Sequence, residues 1–363
     1  MRLGRTVFIG AGFSRPAGVP VGAELWHRVL AQIEDDKRSD VPRIRDLASR
    51  FDADVDYYAR YMREAKGVCL RPDEINFEEF LGFLELEHVL GFLGTQSYSS
   101  EGNETLFLVK HRIGLFLHRA TPPVPALPDF YARFAELLRP GDTIVTFNYD
   151  TLLERLLEHL GKPYALFDDG SREYDNKLIT VLKPHGSLDW FRRSTLAAHA
   201  TDRPPAPTVP FDPRGLSAGP DPIVKCDGGL DEIYTVERCV PPFIAPPSTT
   251  KSHNLQLMSR MWHGVYTGGT FGTGLAVIGY SLPGHDDYAR AAIYQVVASY
   301  QRFRDRRTGR DRKPPMVLID YRVDAPGRAE YEANYRFVDH GHAVFHLTGF
   351  DQQAVDLLAS HGF

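Results

Sequence analysis

Cysteine is scarce in this sequence. Cys69, Cys226 and Cys239 are the only three in 363 residues. No two have C-x-x-C spacing, which excludes a four-thiolate metal site, and the odd count argues for a reducing compartment. Apolar runs are short, and none approaches the ~20 residues of a membrane span. The opening residues MRLGRTVFIG pass straight into an apolar strand and leave no room for a cleaved leader. A cytoplasmic location and no membrane partner are therefore expected. Charge of one sign is also lacking. The formal net charge is -5, so no broad basic field invites direct nucleic-acid binding. There are no internal repeats. What is present is 43% hydrophobic and 25% charged residues, a globular balance with core enough for one large or two ordinary domains.

Short apolar runs recur at Thr6–Ile9, Thr143–Phe147, Leu178–Leu182, Leu275–Ile278, Met316–Ile319 and Ala343–Leu347. Several are apolar on both faces, which suits buried parallel strands. Helical periodicity lies between them, as in Thr151–Leu160 and Ala289–Tyr300. This alternation predicts an α/β fold with a doubly wound, mostly parallel, Rossmann-like sheet. Over a hundred residues of mainly helical pattern separate the first strand from the second, clearest at Glu24–Ile33, Phe77–Leu93 and Leu106–Arg119, and TPPVPALP closes them. A later stretch carries the proline-rich run RPPAPTVPFDPRG and predicts a long loop. The expected organisation is a discontinuous core of residues 1–34, 130–192 and 270–363, a helical insertion at 35–129 and a loop-rich insertion at 193–269.

Four polar tips follow the apolar runs. Gly10-Ala11-Gly12-Phe13-Ser14 comes directly after the first, where the backbone can approach a phosphate without Cβ interference. Arg15 stands where a dinucleotide fingerprint needs a third glycine, so hydride-transfer enzymes are not indicated. Thr146-Phe147-Asn148-Tyr149-Asp150 follows the second run. The Asn148 amide both donates and accepts, so it can fix a ribose hydroxyl or a water. Asp150 or Thr151 can equally cap the next helix. Lys183-Pro184-His185-Gly186-Ser187 follows the third run, and a histidine there can act as a base near neutral pH. Gly279-Tyr280-Ser281 follows Leu275–Ile278 and offers backbone and hydroxyl to a ribose or phosphate, with Asp286 or Asp287 suited to capping. Asp320, after Met316–Ile319, is a candidate for an adenosine ribose hydroxyl. In a parallel sheet all these tips share one edge, the edge where ligands bind.

In this order, the residues resemble the sirtuin-like family. Gly10-Ala11-Gly12 with Ser14 is similar to its GAG-x-S, Thr146 to Asp150 to its T-x-N-x-D, His185-Gly186 to its catalytic His-Gly, and Gly279-Tyr280-Ser281 to its ribose contact. Two departures matter. GVPVGAEL stands where protein deacylases carry GIPDFR, and three scattered cysteines cannot build their zinc ribbon. What remains is similar to a bacterial branch that hydrolyses NAD⁺ in anti-phage defence. That resemblance implies NAD⁺ as substrate, no metal, and Asn148 and His185 as the catalytic pair. It further implies that Gly10, Ala11, Gly12, Phe13, Ser14, Asp150, Gly279, Tyr280, Ser281 and Asp320 bind NAD⁺. A protein deacylase, an ADP-ribosyltransferase and a non-catalytic NAD⁺ or ADP-ribose sensor are the alternatives.

An NAD⁺ hydrolase left on would kill its host, so a gate is expected. It would be a homo-oligomeric switch or a separately encoded protein partner; related systems suggest a ring-forming ATPase or translocase. The run RFRDRRTGRDRK, Arg302 to Lys313, is read as a solvated loop, with a docking patch as the sharper alternative.

Overall fold

The computed structural model describes residues 4–90, 92, 98–99, 102–166, 177–201, 223–246, 262, 265, 272–302 and 313–363. The proline-rich run and residues 303–312 of the basic run lie outside these. The chain forms two compact units. One comprises residues 1–19, 121–184 and 255–363, the other residues 20–120 and 185–254.

In the first unit, seven described strands form one sheet. They are β1 (Thr6–Ile9), β2 (Thr143–Thr146), β3 (Tyr164–Leu166), β4 (Ile179–Leu182), β5 (Leu275–Ile278), β6 (Met316–Ile319) and β7 (Ala343–His346). Their order across the sheet is β7-β6-β5-β1-β2-β4-β3, and every neighbouring pair is parallel. The six strands expected from the sequence agree to within a residue at their ends; β3, three half-buried edge residues, is additional.

Side chains alternate between two cores, as the strand period dictates. Val7, Ile9, Ile144, Val181, Ile278 and Ile319 pack on one face with α5 (Asp129–Leu137), α6 (Leu152–His159) and α9 (Gln352–Ser360). Phe8, Val145, Leu182, Val277 and Leu318 face the other way, against α7 (Asp287–Arg302) and α8 (Ala325–Asn334). Helices on both faces make the sheet doubly wound and α/β. The chain leaves β1 for β2 on one side and returns to β5 on the other, so β1 marks the switch point.

A clasp closes the opposite edge of the sheet. The buried guanidinium of Arg5 pairs with Asp142, and Nη2 also donates to the Leu137 carbonyl at 2.6 Å. Nη1 reaches the Gly362 carbonyl at 3.2 Å, and the guanidinium lies over the Phe363 ring.

The second unit is mainly helical: α1 (Gly22–Asp36), α2 (Pro42–Lys66), α3 (Phe77–Val89) and α4 (Glu104–Ala120). Trp26 anchors it, fully covered among Phe51, Phe77 and Phe80, with Nε1 donating to the Pro72 carbonyl. Arg112, with no exposed side-chain surface, donates to Asp36 at 2.7 Å and to the carbonyls of Thr235, Val236 and Arg238. The stretch expected as a loop carries short regular pieces where it is described. These are a helix at Arg193–Thr201, a strand at Ile223–Lys225 antiparallel to Trp190–Arg192, and a helical turn at Leu230–Ile233.

Candidate functional site

The polar turns gather at the carboxyl edge of the sheet. β1 runs into a single helical turn, Ala11–Ser14, whose buried Ser14 hydroxyl accepts from the Asn148 amide at 3.1 Å. This bond joins the turns after two adjacent central strands. One Asn148 N–H is used on Ser14, and the amide's other N–H and carbonyl are the groups suited to a hydroxyl or water.

The glycines meet a packing demand besides the one the sequence suggests. Gly279 has φ +65°, and a Cβ there would lie 2.3 Å from the Phe13 nitrogen. A Cβ on Gly10 would lie 2.6 Å from the Gly279 carbonyl oxygen, and one on Gly12 2.7 Å from the Gly279 Cα. Gly12 N–H donates to the Gly279 carbonyl at 2.9 Å. These glycines let the turns after β1 and β5 pack backbone on backbone at the switch point. Ala11 remains exposed and Gly12 half-buried beside them. Phe13 turns its ring into the core against Tyr131, Phe134 and Phe350, and its N–H bonds the Gly10 carbonyl.

Asp150 Oδ1 accepts from the Leu152 N–H at 3.0 Å, so this carboxylate caps α6, while the adjacent Thr151 makes no capping bond. Lys183, fully buried, donates to the Asp150 carbonyl at 2.6 Å and to Glu154 Oε1 at 2.7 Å. The motif reading passed over Lys183 and Glu154. The signal available was a lysine closing an otherwise apolar strand, followed by proline.

His185 opens the second unit and is 2% exposed. Its carbonyl accepts from Ala245 N–H at 2.9 Å. Gly186 has φ +80°, and a Cβ there would lie 2.1 Å from the Phe243 carbonyl oxygen. The glycine of this His-Gly pair therefore admits a neighbouring chain segment.

The turn after β5 is held from several directions. Tyr280 stacks on Phe147 with ring centroids 4.1 Å apart, and its hydroxyl donates to Asp286 at 2.6 Å. Asp286 also accepts from the Ala289 N–H, capping α7. Tyr335 donates to the Tyr280 carbonyl, Asn334 to that of Ser281 and Arg290 to that of Leu282. Leu282, at φ +52°, is the one described non-glycine in the left-handed region, a conformation that costs on the order of 1–2 kcal/mol and persists where surroundings enforce it. After β6, Asp320 accepts from Tyr321 N–H at 2.7 Å and from Arg322 at 3.4 Å. Burial pushes its carboxyl above the ordinary value, opposed by Arg322 and Arg15.

Among the described residues no group of three or more His, Cys, Asp or Glu is arranged to hold a metal, and no helix is long and apolar enough to cross a membrane. Residues 142–202 match the SIR2-like domain model. No curated protein is significantly similar in sequence. Solved structures with overall similarity include Sir2Tm bound to a propionylated peptide, at 10% identity and TM-score 0.38 over 99% of this chain and 93% of that one. A Sir2–p53 peptide–NAD⁺ structure aligns at 11% identity and TM-score 0.35, over 99% and 93% of the two chains. Those overall similarities are low, and the fold assignment rests on the sheet itself. The turn after β2, the strand β4 and His185 all fall inside the matched stretch, so residues 142–202 are similar to a SIR2-like domain.

Proposed function

We propose that this protein is an NAD⁺ glycohydrolase that releases nicotinamide and ADP-ribose, acting as a gated effector in anti-phage defence. The hydrogen bond from Asn148 to Ser14 carries this reading, because it unites two of the four turns at the sheet's ligand-binding edge. The match over residues 142–202 supports it as well.

In the proposed reaction the C1′–N bond breaks and its electron pair leaves with nicotinamide as a neutral base. The ribose passes through an oxocarbenium-like state by analogy with glycoside cleavage. Asn148 orients the ribose or the water, and the water oxygen bonds to C1′. His185 accepts the water's proton. The turn at Gly10, Ala11, Gly12 and Ser14 faces the phosphates, and Gly279 to Ser281 with Asp320 faces a ribose. Asp150 favours the developing positive charge. Absence of the zinc-ribbon cysteines and of Asp-Phe-Arg from the sequence disfavours protein deacylation.

The test is nicotinamide release from NAD⁺ by purified protein, alone and with its neighbouring gene products. Asn148→Ala and His185→Ala are each expected to reduce release by at least ~100-fold while leaving the fold intact. Turnover by both variants at the wild-type rate would remove the assignment.

A further inference from the structure

Within the second unit, one chain segment ties the helices to the backbone at His185. Two adjacent residues of α4 grip its first half. Arg112 donates to the carbonyls of Thr235, Val236 and Arg238, while its Nε is held by Asp36, the last residue of α1. His111 has no exposed surface. Its Nε2 faces the Thr235 carbonyl at 3.0 Å and therefore carries a proton. Its Nδ1 lies 3.0 Å from both the nitrogen and the carbonyl oxygen of Val240, and in the neutral ring it accepts from that N–H. Gly114 leaves room for Tyr234, since a Cβ there would lie 2.5 Å from the tyrosine hydroxyl, which donates to the Leu188 carbonyl.

The second half of the segment is laid along His185-Gly186-Ser187. Ala245 N–H donates to the His185 carbonyl at 2.9 Å, Ser187 N–H to the Phe243 carbonyl at 3.1 Å and Phe243 N–H to the Trp190 carbonyl at 2.6 Å. Gly186 and Ile244 form an antiparallel bridge. Between the two halves stand Pro241 and Pro242. Their rings fix φ, so a displacement at Val240 is passed on to Phe243 and not absorbed.

We propose that residues 235–245 are a strap through which the helices control the site, with His111 as a positioning residue for His185. This rests on the reading of His185 as the base of the proposed reaction. A base has to stand within hydrogen-bond reach of its proton, and a misplacement of about 1 Å costs on the order of 100-fold in rate. The strap holds the backbone on both sides of Gly186, and with it the point from which the His185 ring projects. Anything bound to the helices that shifts the grip of α4 changes turnover without touching the substrate.

The experiment pairs nicotinamide release with amide hydrogen exchange in wild type, His111→Gln, His111→Asn and Val240→Pro. Glutamine keeps a donor for the Thr235 carbonyl and leaves the Val240 N–H without the Nδ1 acceptor. Asparagine reverses this, with an oxygen near the place of Nδ1. Val240→Pro deletes the same N–H from the strap itself and stands in for glutamine should that variant fail to fold. In His111→Gln and Val240→Pro the Ser187 and Ala245 amides should exchange at least ~10-fold faster while those of α1 keep their rates. Their kcat should fall at least ~10-fold with KM within about twofold. His111→Asn should stay within about threefold of wild type in both readouts. Unchanged exchange at Ser187 and Ala245, faster exchange there with kcat unaltered, or equal losses in His111→Gln and His111→Asn would each overturn the strap as a control. A wild type that releases no nicotinamide, alone or with its neighbouring gene products, removes the glycohydrolase reading, and the exchange rates then decide the strap by themselves.

Discussion

Replacing Lys183 with methionine tests whether the buried pair beneath the polar turns holds the carboxyl edge together. The substitution keeps most of the apolar stem and deletes the ammonium. It removes the 2.7 Å contact to Glu154 and the 2.6 Å bond to the Asp150 carbonyl. Both side chains are essentially without exposed surface, at 0% and 4%, so water cannot replace the lost cation. Breaking such a pair from one side costs about 3–5 kcal/mol, and the central value is on the order of a thousandfold in the unfolding constant. Neutralising the other partner should repair much of this. Lys183→Met/Glu154→Gln is expected to recover about 2 kcal/mol relative to the sum of the single changes. Urea denaturation reads both numbers as midpoint shifts at unchanged slope. A single-variant loss below about 1 kcal/mol, or strict additivity in the double variant, would refute the reasoning.

Gly279→Ala adds a Cβ 2.3 Å from the Phe13 nitrogen at φ +65°; a loss of at least ~2 kcal/mol by thermal melting is expected. Gly228→Ala meets nothing within 4 Å and should stay within ~0.5 kcal/mol; equal effects at the two sites would contradict the steric account. In the helical unit, Arg112→Met should cost about 3–5 kcal/mol by removing the cation from the buried Asp36 carboxylate and the donor from the Thr235, Val236 and Arg238 carbonyls, and Arg112→Met/Asp36→Leu should recover only the carboxylate's share. An Arg112→Met protein as stable as wild type would show that the pair contributes nothing. Asp320 gives a pH signature. Its folded pKa is raised, chiefly by desolvation, so between the ordinary and the raised value the native state holds the extra proton. Stability from this group is therefore present below its unfolded pKa and lost as pH rises through the folded one. Asp320→Asn lacks that slope and should gain on wild type in urea midpoints as pH rises from the ordinary carboxylate value to the raised folded one; parallel curves would disprove it.

The sheet was legible because its strands are short, apolar on both faces and punctuated by glycine or polar tips. Leu275–Ile278 and Met316–Ile319 are buried throughout, and that burial is written in their composition. β3 escaped because three half-buried edge residues carry no periodic signal. The helix α2 escaped despite apolar positions at Ile44, Leu47, Ala48, Phe51, Val55 and Tyr58, since charged residues fill its other faces. Of the candidate site, the sequence named the turns and their order. It could not distinguish a glycine that clears space for a ligand from one that admits another backbone. Gly10, Gly12, Gly186 and Gly279 each admit another backbone in this structure. Nor could it choose between the roles of Asp150, because an Asx cap and a ligand contact place the same residue at the same point in the chain.

The clasp around Arg5 has a consequence for engineering and for assembly. It brings the backbone at Gly362 against a side chain only a few residues into the chain, at the pole opposite the polar turns. A short linker from position 363 to position 4 would therefore preserve the sheet, and a circularly permuted chain could open at a surface connection instead. A tag, reporter or tether joined after residue 363 would start from the pole of the sheet opposite the polar turns.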